Sequence, residues 1–216
     1  MLWRISSRPS RRSPPAGFIL PAQPTLVSKP PSGPEWINEV KHDGYRLLAR
    51  KEAGRVVLWT RHGTDFTAKL PRIAEAVRTL PVDSAFIDGE AVAFRLDGHS
   101  DFEALLTKRG AEQASFVAFD LLQVDGQDTR RHPLEVRRAE LEGLIAGQDG
   151  IMFSEAIEAE GALVFAKACE MGLEGIVSKR LGGSYSSGRC RNWLKVKNSA
   201  FQRTGTAAWM PQRGDR

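Results

Sequence analysis

Three β-like runs follow one another with almost nothing between them: WINEVK at 36–41, YRLLARK at 45–51 and RVVLWT at 55–60. The last two flank a turn centred on Ala53-Gly54. A regular parallel sheet wants strands and helices in strict alternation, so strands in succession point to antiparallel sheets. Helices interrupt the later strands. KLPRIAEAVRTL (69–80) places Leu70, Ile73, Ala74, Val77 and Leu80 on one helical face. AFIDGEAVAF (85–94) reads as two strand halves with a tight turn near Asp88-Gly89. DFEALLTKR (101–109) is a short helix that Asp101 can cap, and ASFVAFDLLQV (114–124) is apolar enough for a central strand. PLEVRRAELEGLIA (133–146) predicts a helix with Pro133 in its first turn. IMFSEAI (151–157) predicts a strand and AEGALVFAKACEMG (159–172) a helix ending at Gly172. EGIVSKR (174–180) and NWLKVK (192–197) read as closing strands. The expected fold class is α+β, with antiparallel sheets flanked by helices.

Composition narrows the class. No stretch approaches the ~18 uninterrupted apolar residues of a membrane span, so no membrane partner is expected. Cys169 and Cys190 are the only cysteines, which excludes a disulfide framework or a Cys-rich zinc site. His42, His62, His99 and His132 lie far apart, without ligand-like spacing. A reducing, cytoplasmic setting fits best. The formal net charge of +5 favours a polyanionic partner. That charge is uneven: residues 1–34 hold no acid, yet carry Arg4, Arg8, Arg11, Arg12 and Lys29 among prolines and serines. Residues 1–17 therefore read as a basic, flexible arm.

Four short segments put charge where an apolar strand would exclude it. They are Lys41 with Asp43 and Arg46, Glu90 after Asp88-Gly89, Glu174 with Lys179, and Lys195 with Lys197. Singly, each is explained by a side chain turned to solvent, with Lys195 and Lys197 alternating outward. Together they describe a cleft holding an amine, carboxylates and cations, suited to a metal-bound nucleoside triphosphate. A lysine is nucleophilic only when neutral, and its ordinary pKa is about 10.4. Neighbouring cations, a bound metal and burial all lower such a value. Glu90 and Glu174 are candidate metal ligands, and Lys179, Lys195 and Lys197 candidate phosphate partners. Gly44 and Gly89 would let backbone approach a ligand.

KHDGYR (41–46) resembles the K-x-D-G-x-R signature of the covalent nucleotidyltransferases: DNA ligases, RNA ligases and capping enzymes. DGE (88–90), FVAFDLL (116–122), EGIVSKR (174–180) and WLKVK (193–197) resemble the later motifs, in the same order. The wording of residues 18–51 is similar to the bacterial ATP-dependent ligases of the ligase D type. The resemblance implies a DNA ligase adenylation fold over 18–198, with ATP as substrate and Mg2+ or Mn2+ as cofactor. It implies that Lys41 attacks the α-phosphate of ATP to give lysyl–AMP, and that the AMP passes to the 5′-phosphate of nicked DNA. Glu39 is implied near the adenine amino group, Arg46 and Glu90 at the ribose, and Phe119 stacked on adenine. Arg61 is implied at the nucleotide or DNA phosphate, Glu174 at the metal, and Lys195 and Lys197 at the α-phosphate. Without the other motifs Phe119 would read as plain core. Asp120 reads as structural, and Trp36 and Trp193 as packing. GGSYSSGR (182–189) reads as a mobile loop near substrate or as an ordinary loop, since it lacks the phosphate-loop lysine.

The 18 residues after Asn198 are too few for the OB-fold barrel that follows in such ligases, so 199–216 is expected to be a tail. Expected partners are nicked or broken double-stranded DNA, together with a separate OB-type or end-joining protein. Association with the nucleoid would follow from DNA binding. Two alternatives stay open: a non-catalytic ATP- or nick-binding remnant, and an RNA ligase or capping-type nucleotidyltransferase.

Overall fold

The computed structural model describes residues 14–202. Its first half runs β1 (Ala22–Leu26), β2 (Trp36–Val40), β3 (Tyr45–Glu52), β4 (Arg55–Thr60), α1 (Pro71–Arg78) and β5 (Ser84–Val92). Then follow α2 (Phe102–Leu106), α3 (Lys108–Gln113), β6 (Ser115–Val124), β7 (Gln127–Asp128) and α4 (Leu134–Ile145). The chain closes with β8 (Ile151–Phe153), α5 (Gly161–Glu170), β9 (Gly175–Arg180) and β10 (Gly188–Lys197). Residues 1–13 of the expected arm and most of the expected tail lie outside the described residues.

The strands make two sheets, one of order β1-β10-β9-β2 and one of order β4-β3-β5-β6-β7, with β8 also on β6. Most pairs are antiparallel, as expected; β1–β10 and β6–β8 are parallel. The sheets pack face to face through Leu48, Trp59, Phe86, Phe119 and Leu122 on one side and Ala22, Cys190 and Trp193 on the other. Helices α1, α2 and α4 cover the outer face of the larger sheet, where Ile73, Val77, Leu105, Leu141 and Ile145 meet Leu47, Ile87 and Phe116. Helix α5 covers the smaller sheet through Val164 and Ala168 against Ile176 and Val196. Burial on both faces explains the near-continuous apolar run of β6 and the buried Leu47, Leu48 and Ala49 in succession on β3.

The three early runs are strands, as expected, and divide between the two sheets: β2 pairs antiparallel with β9, Glu39 opposite Val177, while β3 pairs with β4 and β5. The chain crosses between the sheets within residues 41–44. Gly44 permits this, because a Cβ there would stand 2.2 Å from the carbonyl oxygen of Ala91. One expectation needs correction: there is no turn at Asp88-Gly89, because β5 continues unbroken through both residues. A Cβ at Gly89 would lie 2.4 Å from the Phe116 ring and 2.6 Å from the Val117 carbonyl oxygen. Both glycines therefore admit neighbouring protein atoms, not a ligand.

The register of β6 carries two irregularities against β5. Ile87 faces Leu121 while Phe86 faces Gln123, and Gly89 faces Ala118 while Asp88 faces Asp120. Leu122 and Phe119 are the extra residues, and both turn toward the other sheet. Bulges re-aim side chains in this way. Between them Asp120 is fully buried and held by both Nε and Nη2 of Arg137, at 2.7 and 2.8 Å. Its structural role is as expected. The Ala53-Gly54 turn, the Asp101 cap on Ala104 and the run of α1 from Pro71 also match. Gly89→Ala is expected to destabilise the protein by about 1–3 kcal/mol through overpacking, seen as a lower urea midpoint with an unchanged m-value.

Candidate active site

Strand alternation builds the inner wall of a cleft between the sheets. On the smaller sheet Glu39 faces Val177, which faces Lys195, and Lys179 faces Trp193. Side chains of Arg46 on β3, Glu90 on β5 and Phe119 on β6 close the opposite wall, and Arg61 and His62 stand at the rim. The cleft has a volume of about 420 Å³. Lys41 follows directly from β2 and enters it, with only 20% of its side chain exposed.

Its Nζ donates to Glu174 Oε2 at 2.7 Å, and Lys197 Nζ approaches Glu174 Oε1 at 3.1 Å. One carboxylate thus spans two ammonium groups. Burial alone would raise the Glu174 pKa, yet Lys41 and Lys197 outweigh it and hold the carboxyl below its ordinary value. Glu90 is shifted the other way: burial pushes it up, and Lys41 and Arg46 offset only part of that push. Burial, aided by repulsion from Lys41 and Lys197, lowers Lys195. Lys195 lines the cleft, whereas Lys197 is half exposed and reaches back to Glu174.

Glu39 is a buried hub. Oε1 accepts from Arg138 Nη1 at 2.5 Å and Lys179 Nζ at 2.8 Å; Oε2 accepts from Ser154 Oγ at 2.7 Å and Lys179 Nζ at 2.9 Å. A carboxylate offers about four acceptor positions, and protein donors fill them here. An adenine amino group could bind Glu39 only by displacing one of those donors. Lys179 is 2% exposed and its Nζ sits 4.4 Å from the ring centres of Phe119 and Trp193. Burial pushes its pKa down to about 8 against the pull of Glu39. Lys179 thus belongs to the aromatic end of the cleft rather than to the Lys41–Glu174 end.

Arg46 is equally constrained. Nε and Nη2 bind Asp88 Oδ1 and Oδ2 at 2.6 and 2.7 Å, and Nη2 also reaches the Ala22 carbonyl at 3.3 Å. Its guanidinium lies 4.3 Å from the centre of Phe119. Burial opposes the charge of Arg46, but Asp88 outweighs burial and raises the pKa. Asp88 is fully buried and accepts a further bond from Tyr185 at 2.6 Å. Phe119, 7% exposed, also meets Trp193 edge-on. Arg46 and Lys179 both lie over the Phe119 ring.

The structure therefore brings Lys41, Glu39, Arg46, Arg61, Glu90, Phe119, Lys179 and Lys195 around one cleft, with Glu174 and Lys197 tied to Lys41. The sequence did not single out Arg138, Ser154 or Tyr185, and it placed Asp88 in a turn. Strand register reveals Asp88, since Leu48 lies opposite it and sets it diagonal to Arg46; packing of α4, of the segment after β8 and of the β9–β10 loop brings in Arg138, Ser154 and Tyr185. Glu90 and Glu174 are hard oxygen donors close enough to repel each other, a set compatible with Mg2+ or Mn2+. No cluster of three or more metal-binding side chains occurs among the described residues.

Comparison with known proteins bears on the same residues. The profile of the ATP dependent DNA ligase domain matches residues 25–197. The multifunctional non-homologous end joining protein LigD of Pseudomonas aeruginosa is 38% identical over 98% of this chain, which spans 26% of that protein. The SPbeta prophage-derived DNA ligase-like protein LigB of Bacillus subtilis is 32% identical, over 84% of this chain and 68% of its own length. Among solved structures, the ligase domain of M. tuberculosis LigD superposes with a TM-score of 0.74 at 32% identity, covering 83% of this chain and 59% of that one. A mycobacterial DNA ligase D complexed with ATP and MES gives a TM-score of 0.72 at 32% identity, covering 83% and 60%. The matched span begins within β1, runs to the end of β10 and contains β2 through β10, and on that basis the chain belongs to the ATP-dependent DNA ligase domain family.

Proposed function

We propose that this chain carries out the adenylylation step of DNA ligation, with Lys41 as the residue that takes up AMP. The observation that carries the proposal is the Lys41–Glu174–Lys197 arrangement at 2.7 and 3.1 Å, in a cleft that also holds Lys195, Arg46 and Glu90. A ligase D relative solved with ATP supports the choice of nucleotide.

The chemistry follows from the groups present. The Lys41 nitrogen forms a bond to the α-phosphorus of ATP while the bond to the bridging oxygen breaks and pyrophosphate leaves. Glu174 Oε2, already hydrogen-bonded to Nζ, is placed to receive the proton that Nζ gives up. Lys195 and Lys197 neutralise negative charge on the displaced phosphates, a stabilisation that matters most where water is excluded. Arg46 donates to the nucleotide from Nη1, which has no acceptor among the described residues. Mg2+ or Mn2+, held by Glu90 and Glu174, would supply further charge neutralisation at the phosphates. The AMP then passes to the 5′-phosphate of a DNA nick, and a 3′-hydroxyl displaces it. Double-strand break repair with an end-joining partner is the setting suggested by the LigD relatives. No helix among the described residues is long and apolar enough to cross a membrane.

Incubation with ATP labelled at the α-phosphate and Mg2+, followed by denaturing electrophoresis, tests the step. The wild-type chain is expected to retain label, and Lys41→Ala to lose it entirely. An unlabelled wild type would favour a binding remnant; label from GTP instead of ATP would favour a capping-type enzyme. Glu174→Gln keeps an acceptor for Nζ but removes its charge. It should slow labelling by about 10²-fold, the scale of a lost acid–base or electrostatic partner. Chelation of the divalent ion should abolish labelling in the wild type, with recovery when Mg2+ is restored.

A further inference from the structure

The β9–β10 loop contains the one strongly apolar-anchored residue of GGSYSSGR, and that residue reaches the cleft. Tyr185 is 7% exposed and packs edge-on against Trp193, with ring centres 5.7 Å apart. Its hydroxyl has a defined direction. The backbone N–H of Ala22 can only donate, so the hydroxyl accepts from it at 2.9 Å and donates its own proton to Asp88 Oδ2 at 2.6 Å. Asp88 grips Arg46 with both oxygens, and Arg46 Nη2 returns to the carbonyl of Ala22. Four groups on β1, β3, β5 and the β9–β10 loop thus form a closed circuit that joins the two sheets at the aromatic end of the cleft. Burial and the Asp88 charge raise the Tyr185 pKa, which keeps the hydroxyl protonated as a donor.

We infer that Tyr185 is a positioning residue for nucleotide binding: it fixes Asp88, and through Asp88 it holds the Arg46 guanidinium rigid with Nη1 turned to the ligand. The geometry gives it this role because Arg46 has a long side chain and would otherwise lose several rotatable bonds on binding. A purely structural role would leave Tyr185 acting on the fold alone, independently of Arg46. The inference rests on the cleft being a nucleotide site, as proposed above.

The test uses the full chain, titrated calorimetrically with α,β-methylene-ATP and Mg2+, and compares wild type, Tyr185→Phe, Arg46→Ala and the double variant. Tyr185→Phe keeps the ring against Trp193 and removes only the hydroxyl. It should raise the Kd about tenfold, the effect of losing one hydrogen bond to a charged group. Labelling by ATP at saturation should change by less than about twofold, since binding rather than the chemical step is affected. In the Arg46→Ala background the same substitution should leave Kd unchanged. Asp88→Asn provides a second probe of the circuit and should weaken binding in the same Arg46-dependent way.

Equal weakening by Tyr185→Phe in both backgrounds would overturn the inference, as would unaltered affinity in both Tyr185→Phe and Asp88→Asn. If the wild type binds the analogue and shows the Arg46-dependent loss but takes no label at Lys41, the adenylylation proposal fails and the positioning role stands. If the wild type is labelled yet Tyr185→Phe acts independently of Arg46, the reverse holds.

Discussion

The Arg46–Asp88 ion pair is the contact on which the cleft depends. Asp88 is fully buried, and a carboxylate removed from water costs several kcal/mol unless its partners are well placed. Arg46 supplies two of those partners and Tyr185 a third, while Ala22 closes the arrangement from the other sheet. Removal of any one member leaves a buried charge or a buried N–H without its match. Satisfaction of the polar groups and closure of the two sheets are therefore the same event. The guanidinium lies over Phe119, so the fold sets the geometry of Arg46 within the cleft directly.

Buried charge elsewhere in the protein follows the same logic with different consequences. Asp120 and Arg137 form a pair sealed from solvent that joins β6 to α4. Burial pushes Asp120 up despite Arg137, and removing either partner of such a buried pair is costly because the other charge is left unmatched. Glu39 gathers Arg138, Lys179 and Ser154, and so ties α4 and the segment after β8 to the strand that leads into Lys41. These networks leave the Lys41–Glu174–Lys197 group as the more open part of the cleft. Lys197 is half exposed there, at 52%.

Glu174 and Glu90 show how environment separates two carboxyls of one cleft. Two ammonium groups hold Glu174 down, whereas Glu90 is raised because burial exceeds the help from Lys41 and Arg46. Each would therefore meet incoming positive charge differently: Glu174 by exchanging one cation for another, and Glu90 by becoming a better anion as positive charge arrives.

Most of the helices and strands were legible from residue pattern, because apolar periodicity and caps act over a few residues. Helix α1 follows its five-residue apolar face, and Asp101 caps α2 through Ala104. The candidate site was legible through the order of charged segments beside apolar runs, Lys41 above all. Four features were not: the division of β2 and β3 between sheets, the unbroken course of β5, the two irregularities in β6, and the anchoring of Tyr185. Each depends on what lies opposite in another strand, and sequence spacing carries no information about that. By itself the sequence determined which charged side chains stand beside apolar strands; only the tertiary structure decided which of them are spoken for by buried partners and which line the open cleft, because pairing across the sheets sets the surroundings of every charge there.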